Sequence, residues 1–241
     1  MINDLLLLSK NDIPFIEAQV NIHQPTIKEI SLIGEEEFYT GYQFLTFNKN
    51  QLSKEDRDKL KDKTDFEVLI ILMHNAEQRK YRDSAINLLT LLFPNYEVKL
   101  ESSEIILRGS SGIVRLNSGN FNKFKEILTA MFDIEDSKYS SSSYNPADAR
   151  AAKIAEKFKQ AKMKRKGGKS QKVAVLSRYI SILSVGLQKD MNDLLEYSVY
   201  QLKDEFTRYQ KKTQFDVYMQ AKMLGAKNLD EIDNWMDDIH S

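Results

Sequence analysis

Histidine is the side chain best suited to proton transfer and metal ligation near neutral pH, and this sequence holds three: His23, His74 and His240. No two stand at metal-ligand spacing, and none sits in a sequence motif with carboxylates. His23, close to Pro25, reads as a structural or surface residue, and His240 as a solvated one. There is no cysteine, which excludes thiol nucleophiles, disulfides, zinc ribbons and iron–sulfur clusters. The stretch Arg165 to Ser170 ends in Gly-Lys-Ser, as a phosphate loop does. The first glycine of such a loop would fall where Met163 stands, and no apolar strand precedes it. Arg108 to Ile113 (RGSSGI) matches neither phosphate-binding pattern and is explained by a hairpin turn. Asp237 and Asp238 are adjacent on a predicted helix, so they point apart and form no acid–base pair. Glu35, Glu36 and Glu37 read as solvated acids at an element end. The expectation is a protein that is not an enzyme and has no catalytic, cofactor or metal site, acting instead by binding other proteins.

Charge patterning is the sharper signal. The formal net charge is zero, yet Arg150 to Lys172 is dense in lysine, including Lys157, Lys162, Lys164, Arg165 and Lys166, with Glu156 as its one acid. The end of the chain runs the other way, with Asp230, Glu231, Asp233, Asp237 and Asp238 and no Lys or Arg after Lys227. Lysines neutralise phosphates, so the basic segment admits a nucleic-acid-binding reading. Its lone aromatic, Phe158, and its few arginines count against base readout. A solvated linker helix, or an arm that docks on an acidic partner, fits the composition better.

The elements that carry these residues follow from hydrophobic period and turn chemistry. With 241 residues, 41% hydrophobic and 29% charged, the chain is long enough to bury a real core and has a soluble composition. Leu5 to Leu8 is too short for a signal segment and reads as a buried strand or short helix, and no run approaches a membrane span. Ile13 to Gln24 reads as a strand. Thr26 to Gly34 reads as a helix that begins with a Thr26/Glu29 cap. Ser53 to Lys61 predicts a short exposed helix capped by Ser53, and Phe66 to Phe93 two helices, the second closed by Pro94. Tyr96–Leu100, Ile105–Arg108 and Ile113–Leu116 alternate and are separated by turn residues, which predicts an antiparallel meander. A helix follows over Phe121–Phe132. Ser140 to Pro146 marks a linker, and Ala147 to Lys166 a thinly amphipathic helix stopped by Gly167 and Gly168. Beyond it the period predicts helices over Val173–Leu187, Leu194–Tyr209, Thr213–Leu224 (Thr213 capping, Gly225 ending) and from Asn228 onward.

The fold class read from this pattern is α+β, mainly α-helical, with a small antiparallel meander among the N-terminal helices and a C-terminal helical bundle. The expected division is an α+β domain over 1–136, a Ser-rich loop and basic linker helix over 137–172, and a helical domain over 173–241.

Four stretches carry a family resemblance: Asn21 to Tyr39 (NIHQPTIKEISLIGEEEFY), Ser177 to Gly186 (SRYISILSVG), Asp190 to Phe206 (DMNDLLEYSVYQLKDEF) and Ala221 to His240 (AKMLGAKNLDEIDNWMDDIH). Together they resemble proteins of phages and prophages of Gram-positive bacteria encoded among tail-morphogenesis genes, where tail assembly chaperones lie ahead of the tape measure protein. The resemblance implies a helper in the host cytoplasm that coats the helical tape measure protein, recruits tail tube protein and leaves the finished tail. It carries no catalytic residues. Many such chaperones are shorter, so this length implies a long or fused version. A virion structural protein of the tail or baseplate, and a phage nucleic-acid-binding or regulatory protein using 150–172, are the alternatives. Contact candidates are Leu202, Phe206, Tyr209, Trp235 and Met236, all of which are also core candidates. A homo-oligomer is left open, as is whether the two ends pack together.

Overall fold

The computed structural model of the chain describes residues 2–51, 54–110, 112–132, 175–226, 232 and 234–237. The predicted linker helix, the Gly-Lys-Ser stretch, Ser53 and the basic residues Lys157, Lys162, Lys164, Arg165 and Lys166 lie outside them. The chain divides into two compact units, one made of 1–133 together with 176–241 and the other of 134–175. The two ends of the chain therefore belong to one compact unit. Its described elements are α+β and mainly helical.

The N-terminal part begins with α1 (Asp4–Leu8), in which only Leu7 is buried. The expected strand over 13–24 is a hairpin instead. β1 (Ile13–Phe15) turns through a 3-10 segment, Ile16–Ala18, and returns as β2 (Val20–Ile22). Gln19 takes the turn's left-handed position at φ 54°, a conformation that a non-glycine residue seldom advertises in sequence. α2 (Ile27–Ile33) starts as expected. The Thr26 hydroxyl accepts from the Glu29 N–H at 3.2 Å, and the Glu29 carboxylate accepts from the Thr26 N–H at 2.7 Å.

Next come α3 (Glu35–Leu45), α4 (Lys54–Lys59), α5 (Asp65–His74) and α6 (Arg79–Leu92). A second capping box, Thr64 with Glu67, opens α5. α3 and α6 approach closely because Gly41 has no side chain: a Cβ there would lie 2.4 Å from the Ser84 carbonyl oxygen. The meander is β3 (Tyr96–Leu100), β4 (Ile105–Gly109) and β5 (Gly112–Leu116), in the order β3-β4-β5. Ile105, Leu107, Val114 and Leu116 are buried. Ile106, on the opposite face, is in register with Lys99 and Arg115 and is buried too.

α7 (Phe121–Phe132) closes the core, which is largely aromatic. Phe124 meets Phe15, Phe93 and Phe121 at ring separations of 6.0, 6.1 and 5.8 Å, and Phe132 meets Phe38 edge-on at 5.0 Å.

The three consecutive glutamates at the start of α3 are not merely solvated. Glu35 accepts the Leu176 N–H at 2.7 Å and so caps the helix that opens the C-terminal part. Glu36 pairs with Lys80 at 3.1 Å, and Glu37 accepts from the buried Ser84 hydroxyl at 2.8 Å. α8 (Val175–Leu187) buries Leu176, Tyr179, Ile180 and Leu183. α9 (Met191–Leu195) is a single turn and a half, capped by Asp190.

The sequence predicts separate helices over 194–209 and 213–224. One uninterrupted helix, α10 (Val199–Met223), replaces them, with Leu194 and Leu195 left behind in α9. Thr213 does not cap anything: its hydroxyl donates to the Tyr209 carbonyl at 2.8 Å, a local bond compatible with a helix interior. The flanking Gln210, Lys211, Lys212 and Gln214 all favour helix. Gly225 ends α10 as expected, at φ 84°. Of the helix expected after Asn228, the described residues show only a turn at Asn234–Asp237, closed by the Asp237 N–H on the Asn234 carbonyl at 3.0 Å.

Candidate partner-binding surface on the long C-terminal helix

α10 is anchored at its start. Ser198 opens it with a capping box in which the hydroxyl accepts the Gln201 N–H at 3.2 Å and the Gln201 side-chain oxygen accepts the Ser198 N–H at 3.0 Å. The same corner is stitched to the N-terminal part. Thr26 bridges Ser198 as antiparallel backbone, and the Ile27 N–H donates to the Tyr197 carbonyl at 2.8 Å. The Gln201 amide donates to the Leu8 carbonyl at 2.6 Å, Lys28 pairs with Glu196 at 2.9 Å, and the Lys10 ammonium donates to the Glu196 carbonyl. Lys189 reaches both the Tyr197 hydroxyl and the Glu205 carboxylate. Burial pulls its pKa down, but hydrogen bonds to Glu205 and Tyr197 outweigh that and hold it above the ordinary lysine value.

Val199, Tyr200, Leu202 and Phe206 fill the core from the first half of this helix. The Phe206 ring stacks on Tyr179 of α8 at 3.7 Å and 11°. Gly186 makes room for Tyr209, since a Cβ on it would lie 2.3 Å from the Tyr209 hydroxyl. Beyond Phe206 no residue of α10 is buried. That leaves roughly four and a half turns outside the core.

The apolar residues do not stop with the burial. Val217 and Leu224 fall on the helical continuation of Val199, Leu202 and Phe206, yet they are 61% and 88% exposed. Met219 and Met223 are also exposed, at 38% and 77%. Around Val217 and Leu224 the helix carries Gln210, Thr213, Gln214, Gln220 and Ala221, a ribbon with no charge. Lys211 and Lys222 lie along one edge of that ribbon, and Asp216 and Lys212, paired with each other, along the other. Lys222 sits over the Tyr218 ring at 5.8 Å.

The five contact candidates separate. Leu202 and Phe206 take the core alternative; Tyr209 and Trp235 are half-buried; Met236 is exposed. Arg208 draws the terminal turn back to α10 by donating to the carbonyls of Trp235 at 3.2 Å and Asp237 at 2.8 Å. Val217, Met219 and Leu224 are absent from the candidates. Steps of eleven and eighteen residues from Phe206 point to Val217 and Leu224, but only if the helix is known to run through Thr213.

His23 shows what sequence motifs missed on the other side of this corner. The hairpin register pairs Ile13 with Ile22, which sets Asp12 opposite His23, and the capping box fixes Glu29. The ring then lies between two carboxylates, Nδ1 3.2 Å from Asp12 and Nε2 3.3 Å from Glu29. Glu29 is pushed up by burial, but the Thr26 N–H and hydroxyl and His23 together hold it below its ordinary value. Among the described residues no group of three His, Cys, Asp or Glu is placed to hold a metal ion. No helix of the described residues is long and apolar enough to cross a membrane.

Residues 167–240 match the protein family described as the YomV second domain, a phage-derived family. The match takes in α8, α9 and α10, and it supports a phage or prophage protein. No curated protein and no solved structure matches the chain.

Proposed function

We propose that this chain is a non-catalytic helper of phage tail assembly, acting in the host cytoplasm by holding the tape measure protein and tail tube protein through its C-terminal helices. One observation carries the reading. Within the segment similar to a phage-derived family, a 25-residue helix buries only its first third, Val199 to Phe206, and carries Val217 and Leu224 on the same side into solvent. Val217, Ala221 and Leu224 form a short apolar strip set among uncharged polar residues, on a helix side with no charge to desolvate. A helical client with an apolar face is the partner such a run accepts. The resemblance of 21–39, 177–186, 190–206 and 221–240 to tail-morphogenesis proteins supports the choice of client.

The rival reading, a structural component of the tail or baseplate, uses the same surface and differs in where the protein ends up. Quantitative mass spectrometry of induced lysates and of purified virions separates them. An assembly helper is abundant in the lysate and missing from virions. Stoichiometric recovery in virions would replace the helper with a structural protein.

A further inference from the structure

The charges of the outer half of α10 specify its partner more closely than its apolar residues do. We infer that the ribbon Gln210, Thr213, Val217, Gln220, Ala221 and Leu224 receives a helix of another protein that is apolar on one face and acidic along one flank. This rests on the tail-assembly reading for the partner's name but not for its chemistry.

The ribbon is where a helix can be buried without desolvating a charge, which would cost far more than the contact returns. It lies on the helix side that is core as far as Phe206, and its apolar members are Val217, Ala221 and Leu224. Ala221 lets a second backbone come close, while Thr213, Gln210 and Gln220 offer hydrogen bonds at the rim. The two edges differ. Lys212 is neutralised by Asp216 on one edge. On the other, Lys211 and Lys222 stand eleven residues apart, about three turns, both positive. A partner lying along α10 meets that edge with one flank, and carboxylates about three turns apart on that flank complete two ion pairs.

The same edge argues against an antiparallel second copy of this chain. A two-fold axis across two antiparallel α10 helices sets each edge against its own copy, so Lys211 would face Lys222 of the other molecule. Like charges there oppose pairing.

The test uses the full chain and two synthetic helical peptides. Both carry the same apolar face; one has glutamates eleven residues apart along one flank, the other lysines at those positions. Fluorescence anisotropy reads binding to the native chain, to Lys211→Glu/Lys222→Glu and to Val217→Asp/Leu224→Asp, with circular dichroism confirming that each is folded. The native chain should prefer the glutamate peptide by roughly five- to tenfold, the size of two exposed ion pairs. Lys211→Glu/Lys222→Glu should reverse the preference, and Val217→Asp/Leu224→Asp should weaken both peptides by at least about tenfold. Failure of the native chain to bind the glutamate peptide, an unreversed preference, or tight binding by the Val217→Asp/Leu224→Asp chain would each overturn the inference. If the peptides behave as expected but no tail protein binds, the tail-assembly reading falls and this inference stands. If tail proteins bind regardless of these four residues, the reverse holds.

Discussion

The two halves of α10 share one helix and one apolar period, yet they have opposite surroundings. Val199 to Phe206 is capped by Ser198, tied to Leu8 and Thr26, and sealed by the stack of Phe206 on Tyr179. From Thr207 onward the same stripe faces solvent at Val217 and Leu224. A period of 3.6 says which side of a helix is apolar and not whether anything of the same chain covers it. The difference comes from partners distant in sequence, namely α7, α1 and α8.

The contrast makes a graded set of substitutions. Phe206→Ala removes a buried ring and its stack on Tyr179, so it should cost about 3–5 kcal/mol in denaturant unfolding. Gly186→Ala sits at the boundary between the halves and forces the Tyr209 hydroxyl out of a contact at 2.3 Å. It should cost about 1–2 kcal/mol, with most of the loss cancelled in a Tyr209→Ala background, as a double-mutant cycle would read. Ser198→Ala opens the capping box and should cost about 1 kcal/mol, seen as a lower Tm.

A pH series sharpens the account of the corner itself. Glu29 is held below its ordinary pKa, so its contribution is complete above the ordinary carboxylate range and is lost as pH falls through the lowered folded value. The stability gap between the native chain and Glu29→Gln should therefore narrow on acidification from neutral pH and close once Glu29 is protonated. A gap that persists at low pH would assign Glu29 a purely neutral role. Smallest of all, Val217→Asp should change unfolding stability by less than about 1 kcal/mol, because nothing of the fold rests on that side chain. A loss comparable to that of Phe206→Ala would erase the distinction between the halves.

Much of the fold was legible because local rules agreed with the packing. The meander follows from alternation and from turns at Ser102-Ser103 and Gly109–Gly112, α2 from the Thr26/Glu29 box, and α7 from the spacing of Phe121, Phe124, Ile127, Leu128 and Met131. What escaped the sequence was set either by weak local signals or by distant partners. Gln19 in a left-handed turn makes a hairpin from what looks like one strand. Thr213 reads as a cap but bonds back to Tyr209 instead. Glu35 looks like a solvated acid until the Leu176 N–H, far along the chain, is brought to it. Among the contact candidates Leu202 and Phe206 are buried, Tyr209 and Trp235 half-buried and Met236 exposed, and the supposed break at Thr213 kept Val217 and Leu224 from being grouped with them.

The central claim is that the outer half of α10 holds tail proteins. Its most direct test is an affinity pull-down from prophage-induced cells, comparing the tagged native chain with the Val217→Asp/Leu224→Asp chain by quantitative mass spectrometry. The expected result is tape measure and tail tube proteins with the native chain and their loss, by at least about tenfold, with the equally folded variant. Equal recovery with both chains, or nucleic acid and host regulators without any tail protein, would contradict it.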